Sequence, residues 1–363
     1  MPAAEVSVVI PVYNNAATIR ECLSSVLQSS YPIKDLIVVN DGSTDGTEQI
    51  ARSFNCTVID LAANYGVGIA RNAGAARATG DLLFFTDGDV VLANDTIDIG
   101  VRRLGEDPGL AAVVGLYAKE CGASGFASVF KNLVYHYVHL SSTEASSVFI
   151  GNCGMIRRRV FEQVGGFDSS SEFATCLEDV ELGFRLAAHG ERVVLDKTMS
   201  VTHLRQFTLS GLLYSDLFRR AVPWSKLILK YRHVQFDNCT RMGDLVRLVL
   251  AFVVLAAALA VPVLGRPTWP FFPVALGAFI LSDQSVTAFL ARERGVSFAL
   301  RAVPMRVLYY WTGALGIALA LAAWFRMPAP AGQTHNGRGS PLAESFTLPG
   351  APLRARPSEN PAT

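Results

Sequence analysis

The chain has 363 residues, 50% of them hydrophobic and 17% charged, with a net charge of +1. So even a charge balance excludes a nucleic-acid binder drawn in by a global positive field, and the length suits one large core plus an appendage. Mean hydropathy is +0.31, high for a soluble protein: residues 1–240 read as a mixed globular domain, whereas 245–325 is dominated by apolar runs.

The globular part opens on Val6-Ser7-Val8-Val9-Ile10, a β-rich run that Pro11 is expected to stop. The stretch 6–12 is too short for the apolar core of an export signal. Helical periodicity follows over 14–28 through Ile19, Leu23, Val26 and Leu27. A second strand over 36–40 runs into the turn cluster Asp41-Gly42-Ser43-Thr44-Asp45-Gly46, and a helix starts near Thr47. A third strand at 57–61, a helix at 68–78 and a fourth strand at 82–85 complete the pattern. Strand and helix in alternation at this spacing predict a parallel sheet with flanking helices, and its ligands sit at the carboxyl ends of the strands. Pro11 to Asn14, Asp41 and Asp87 all fall there. The sequence carries neither a G-x-G-x-x-G after the first strand nor a P-loop. Its six cysteines (Cys22, Cys56, Cys121, Cys153, Cys176, Cys239) have no paired spacing and read as reduced thiols.

The fourth strand leads into Thr86-Asp87-Gly88-Asp89. In extended backbone, positions two apart share a face, so Asp87 and Asp89 are expected to project together and serve one hard cation, Mg²⁺ or Mn²⁺, shared with substrate phosphates. By itself such a pair also fits a solvated turn.

Taken with Val8-Val9-Ile10-Pro11-Val12-Tyr13-Asn14-Asn15, Val39-Asn40-Asp41-Gly42-Ser43-Thr44-Asp45-Gly46-Thr47, Asn64-x-Gly66, Ala70-Arg71-Asn72-x-Gly74 and Leu177-Glu178-Asp179, this motif makes residues 5–205 strongly resemble glycosyltransferase family 2. The resemblance implies an α/β GT-A nucleotide-diphospho-sugar transferase fold, a nucleotide-sugar donor, a divalent metal and inversion at the anomeric carbon. It implies that Asp41 meets the nucleoside, that Pro11 and Tyr13 line the base pocket, that Asn14 helps bind the nucleotide sugar, and that Arg71 lies near the nucleotide. Asp87 would then contact the ribose or metal region, Asp89 would bind the metal, Asp179 would be the general base and Glu178 would orient its loop. The segment Phe149-Ile150-Gly151-Asn152-Cys153-Gly154-Met155-Ile156-Arg157-Arg158, followed by Val164-Gly165-Gly166-Phe167-Asp168, resembles the strand beside the donor sugar and acceptor, with Gly151 and Asn152 at the sugar. His203 stands where several members place a histidine near the metal or diphosphate.

Each position keeps a plain structural reading beside this one: an Asx turn for Asp41, a surface arginine for Arg71, helix N-terminal acids for Glu178 and Asp179, a β-bulge in the segment 149–158 and an ordinary core or surface residue for His203. Two departures bear on the reaction: Asn15 replaces the familiar acid of the first motif, and Q-x-x-R-W is absent, which favours transfer of one sugar over polymerisation.

Residues 248–264 and 307–325 are long enough to cross a bilayer as helices, whereas 269–290 carries Asp283 and Gln284. About three spans are expected, at 245–265, 269–290 and 304–325. Arg241 and Arg247 precede the first, and Arg292, Arg294, Arg301 and Arg306 crowd the second connection. This places the N-terminal domain in the cytoplasm of a multi-pass inner-membrane protein. The expected division is a catalytic domain over 1–206, an amphipathic interfacial segment over 207–243, a transmembrane region over 244–326 and a disordered tail over 327–363. The activity expected is transfer of one sugar to a lipid or lipid-linked acceptor. A nucleotide-sugar-binding scaffold, a flippase partner or nucleotidyl transfer are the alternatives.

Overall fold

The structure, a computed structural model, describes residues 4–169, 173, 175–231, 242–264 and 268–326. The expected tail, Arg241, Arg266, Cys239 and the end of the interfacial segment lie outside the described residues. The chain divides into two compact units, Met1–Gly122 with Glu144–Leu204 and Ala123–Thr143 with Arg205–Trp324.

The first unit follows the expected alternation: β1 (Val6–Val12), α1 (Ile19–Leu27), β2 (Asp35–Asn40), α2 (Thr47–Arg52), β3 (Thr57–Asp60), α3 (Val67–Ala75), β4 (Leu82–Thr86), β5 (Val90–Leu92), α4 (Thr96–Glu106) and β6 (Leu110–Tyr117). After α5 (Phe126–Leu140), which belongs to the other unit, come β7 (Ala145–Ser146), β8 (Cys153–Arg157), α6 (Arg158–Gln163), α7 (Glu178–Ala188) and β9 (Arg192–His203). The sheet order is β3-β2-β1-β4-β8-β6-β9-β5, with β7 on β9. The first four strands are parallel, as the sequence predicts; β8 then enters antiparallel between β4 and β6, and β6 pairs β9 in parallel.

Alternation along each strand builds two cores. Val8, Ile10, Val38 and Phe84 lie in one cluster with Ile19, Leu23 and Ile97 of the helices, while Val9, Val39 and Phe85 lie in the other with Ala70, Phe161 and Leu182. Gly74 is what lets α3 lie so close to the sheet: a Cβ there would strike Val9. β1 does not stop at Pro11 but runs on to Val12. The last residue of β1 paired with β4 is Val9, so the Pro11 nitrogen, which has no hydrogen to donate, faces no β4 partner.

Within the span 1–206, α5 belongs to the second unit. Its Ala127, Phe130, Leu133 and Val134 join Leu212, Val286, Phe289, Ala302 and Met305 in one core of the second unit. That unit continues with α8 (Leu209–Tyr214), a π-helical turn over Ser215–Ala221, α9 (Val222–Tyr231), α10 (Met242–Leu264), α11 (Phe271–Ser282), α12 (Gln284–Arg294) and α13 (Val296–Arg326). α10 and α13 are long and apolar enough to cross a membrane; α11 and α12, where one span over 269–290 is expected, meet at 79° and would add a third span only if counted together.

The bend sits at Asp283, which is 1% exposed. Its carboxylate accepts from Arg306 Nε and Nη2, both at 2.8 Å, and Arg247 Nε lies 3.3 Å away. Arg247 Nε also donates to Ser282 O at 3.0 Å, and Tyr310 Oη donates to Asp244 Oδ1 at 2.9 Å. A buried carboxylate needs such partners, and satisfying them turns the chain. Asp283→Ala leaves the buried Arg306 guanidinium without its counter-charge, so we expect a loss of about 3–5 kcal/mol. Thermal unfolding of the detergent-solubilised chain checks this; an unchanged melting temperature would show that packing alone holds the bend.

Candidate active site

The turns leaving β1, β2 and β4 form one rim. Asp41, immediately after β2, is 3% exposed. Its two oxygens accept from Tyr65 N at 2.8 Å and Gly66 N at 2.9 Å, and burial raises its pKa despite these bonds. Asp41 therefore anchors the loop that opens α3, and is not engaged in an Asx turn with Gly42. Pro11 is buried in β1, while Tyr13 is 47% exposed at the rim. Asn14 takes a left-handed conformation (φ 54°) that brings its backbone N to Ser43 Oγ at 3.0 Å and lets its Oδ1 accept from Thr44 N at 2.8 Å.

α3 delivers Arg71, 2% exposed, into the middle of the site. Its Nη2 donates to Asp87 Oδ1 at 2.7 Å and its Nη1 to Glu178 Oε1. The guanidinium carbon lies 5.3 Å from the centroid of the Phe167 ring, a cation–π contact. On another side it meets Gly151, where a Cβ would come within 2.5 Å of Nη1. Phe167 is itself fixed by Asn72, whose Nδ2 donates to Phe167 O and whose Oδ1 accepts from Phe167 N. Arg71 is thus a surface residue in neither position nor bonding.

Asp87 and Asp89 do not lie in the extended backbone expected of them. Val90 N donates to Asp87 O at 3.1 Å, closing residues 87–90 into a turn, and the alternation of side chains ends at Thr86. Asp87 turns to Arg71, whereas Asp89 Oδ2 faces His203 Nε2 at 3.7 Å. Burial raises the Asp87 pKa; Arg71 opposes this and the negative charge of Asp89 reinforces it. Among the described residues no three His, Cys, Asp or Glu side chains form a ready-made metal cluster. The donor set still fits a hard cation: hard oxygens with one imidazole, the carboxylates of Asp87, Glu178 and Asp179 gathering around the buried Arg71 guanidinium and Asp89 lying beside Asp87.

α7 begins at Glu178, and the preceding Leu177 is held at φ 59°, a conformation that costs a non-glycine residue about 1 kcal/mol. Glu178 is 4% exposed, and burial raises its pKa against the opposing pull of Arg71. Asp179 is half-buried; its Oδ2 accepts from Gly151 N at 3.0 Å and its Oδ1 from Val180 N at 2.8 Å. Residues 150–153 are a tight turn leading into β8, with Cys153 N donating to Ile150 O at 3.2 Å, and not a bulge. The side chain of Asn152 bonds Tyr117, its Nδ2 donating to Tyr117 Oη.

Asp87, Arg71, Glu178, Gly151 and Asp179 therefore form one connected set, with Asp89 and His203 beside it and Asp41 linked through the loop that starts α3. Tyr117 and Cys22, whose Sγ donates to Asp87 O at 3.3 Å, join the site without having been expected there, whereas Phe167 belongs to the run 164–168 that the resemblance placed after the strand beside the donor sugar. Phe167 follows a paired glycine that the sequence shows, whereas nothing in the sequence marks Tyr117.

Residues 7–165 match the family model Glycosyl transferase family 2. Over 106 residues the chain is 39% identical to glycosyltransferase AglE of Haloferax volcanii, covering 27% of this chain and 35% of that one. Over 114 residues it is 33% identical to a poly-β-1,6-N-acetyl-D-glucosamine synthase of Staphylococcus epidermidis, covering 30% and 28%. The matched part thus spans about a third of the length of these relatives. Among solved structures, the mannosyltransferase PcManGT of Pyrobaculum calidifontis, in complex with GDP-Man and Mn²⁺, superposes over 87% of both chains with a TM-score of 0.55 at 21% identity, a likeness of fold.

Proposed function

Because residues 7–165 of this chain form a glycosyl transferase family 2 domain, we propose that it is a membrane-anchored inverting enzyme moving one sugar from a nucleotide-diphosphate donor to a lipid or lipid-linked acceptor at the cytoplasmic face. The observation that carries this reading is the junction at Arg71, which ties Asp87 to Glu178 beside Asp179 at the carboxyl ends of parallel strands. Pro11, Tyr13, Asn14 and Asp41 form the nucleoside side of the site. Gly151, whose missing side chain makes room for Arg71, lies on the sugar side of the site.

Asp179 takes the proton of the acceptor hydroxyl as that oxygen attacks the anomeric carbon from the face opposite the diphosphate. Its two amide hydrogen bonds fix the carboxylate and leave each oxygen a second lone pair. Glu178 and Arg71 position this carboxylate. Mg²⁺ or Mn²⁺ held by Asp89 and His203, with Asp87 alongside, would supply Lewis-acid help to the departing diphosphate. GDP-Man and Mn²⁺ in the complex of the structural neighbour support a donor and cation of these classes.

Membrane anchoring rests on α10 and α13. Arg247, near the start of α10, bonds Ser282 at the end of α11, so these two helices form an antiparallel hairpin that returns to the side it left. Arg292, Arg294 and Arg301 follow on that side, which the distribution of basic residues makes cytoplasmic. The exposed pair Tyr214 and Phe218, ring centroids 5.1 Å apart, suits the interfacial role given to 207–243.

Membranes containing the full chain, incubated with labelled nucleotide sugars and Mg²⁺ or Mn²⁺, should yield a lipid-extractable product bearing one sugar and release nucleoside diphosphate. Chelation of the metal should stop the reaction. Label in a polymer would show the chemistry in the name of the S. epidermidis relative, released pyrophosphate would show nucleotidyl transfer, and donor binding without turnover would show a scaffold.

A further inference from the structure

His203 ends β9 opposite the turn that carries Asp89, and backbone sets the two together: Val90 pairs His203, and Leu204 N donates to Asp89 O at 2.8 Å. The side chains are less constrained by this pairing, and a second set of contacts supplies what is missing. Tyr117, the last residue of β6, pairs Val201 of β9. His203 lies two residues further along the same strand and therefore on the same face, at the diagonal reach of an aromatic side chain. The two ring centroids are 5.0 Å apart, with planes at 59°. Tyr117 is in turn held by Asn152, whose Nδ2 donates to its Oη. Asn152 O accepts from Thr86 Oγ1 at 3.0 Å, and Thr86 is the residue before Asp87. The contacts Thr86–Asn152–Tyr117–His203–Asp89 thus close a ring around the 87–89 turn.

We propose that Tyr117, oriented by Asn152, is a positioning residue that holds the His203 imidazole with Nε2 toward Asp89 as a nitrogen ligand of the divalent cation. The proposal rests on the cation reading above. The separation of 3.7 Å between Nε2 and Oδ2 is too long for a hydrogen bond. It is also short enough for one ion at about 2.1 Å from each atom. A partner that fixes the ring of a ligating histidine typically accounts for about 10–100-fold in metal affinity. Asn152 then acts on the cation through Tyr117, and not on the donor sugar.

Mn²⁺ binding to the full chain in nanodiscs provides the test, read by the EPR signal of free Mn²⁺ for affinity and by ¹⁴N modulation in pulsed EPR for a bound imidazole. The wild type should show ¹⁴N modulation, and His203→Ala should abolish it. Tyr117→Leu should also abolish it and weaken Mn²⁺ about 10-fold, whereas Tyr117→Phe, which keeps the ring but loses the hydrogen bond from Asn152, should retain the modulation with Mn²⁺ bound more weakly than by the wild type. Wild-type modulation and affinity in Tyr117→Leu would overturn the proposal. If Tyr117→Leu fails to fold, Asn152→Ala serves instead, and unchanged Mn²⁺ affinity there would overturn it equally. Mn²⁺ bound by the wild type without ¹⁴N modulation overturns this inference alone; absence of Mn²⁺ binding overturns the cation reading and this one with it.

Discussion

Asp179→Asn is expected to lower the rate of sugar transfer about 10²–10⁴-fold, the range a positioned general base contributes, while nucleotide-sugar affinity changes little. The amide is isosteric but cannot accept a proton. It is also a poorer fit to its own surroundings. Asp179 accepts from two backbone N–H groups, Gly151 on one oxygen and Val180 on the other, and Asn must set its own NH₂ against one of them. A mismatch of this kind costs about 1–3 kcal/mol locally, so the turn at Gly151 is expected to loosen as well. Asp179→Glu separates the effects: it restores a base but displaces it by a methylene, and should recover part of the rate. Steady-state transfer together with calorimetric donor binding checks the split between kcat and affinity. Full activity in Asp179→Asn would remove Asp179 from the proton transfer and move the search to Glu178.

The positions where the sequence alone was informative are those fixed by local rules. Alternation of Val and Ile placed β1, β2 and β4, and the turn residues after them placed Asp41 and Asp87, because strand ends and tight turns are written in neighbouring residues. The contacts that make the site a unit are not local. Arg71 is 107 positions from Glu178, and nothing in a helix such as α3 marks which polar side chain turns inward. The extended backbone expected at Asp87 and Asp89 is absent for a local reason: the Asp87–Val90 hydrogen bond turns the chain after the strand ends at Thr86. Similarly, the apolar run 269–290 has the composition of one helix, yet the buried Asp283 bonds Arg306 on a helix 23 positions later, and satisfying that carboxylate bends the chain. α5 reads as a helix of the first unit until its partners, far along the chain, are known.

Arg71→Met is the second substitution with a large expected effect, and it bears on stability before it bears on catalysis. Glu178 is 4% exposed and hydrogen-bonded to Nη1, and Asp87 is bonded to Nη2. Removing the guanidinium that bridges them strands one or both carboxylates, which costs about 3–5 kcal/mol for a buried pair broken on one side. The deficit must depend on pH. Unfolded carboxylates ionise near pH 4. In the folded chain burial already raises both groups, Arg71 opposing the rise, and without it they rise further. A carboxyl whose folded pKa lies above its unfolded one contributes its stability fully at low pH and loses it as pH climbs through the folded value. The gap in melting temperature between Arg71→Met and the wild type should therefore be small at pH 4–5 and widen toward pH 8. The double substitution Arg71→Met with Glu178→Gln should recover much of the loss, because the stranded charge is gone. Arg71→Lys cannot make both forked contacts and should fall between. Scanning fluorimetry across pH on the solubilised chain separates these cases: a pH-independent deficit would mean that Arg71 acts through its packing on Phe167 and Gly151 instead of through its charge.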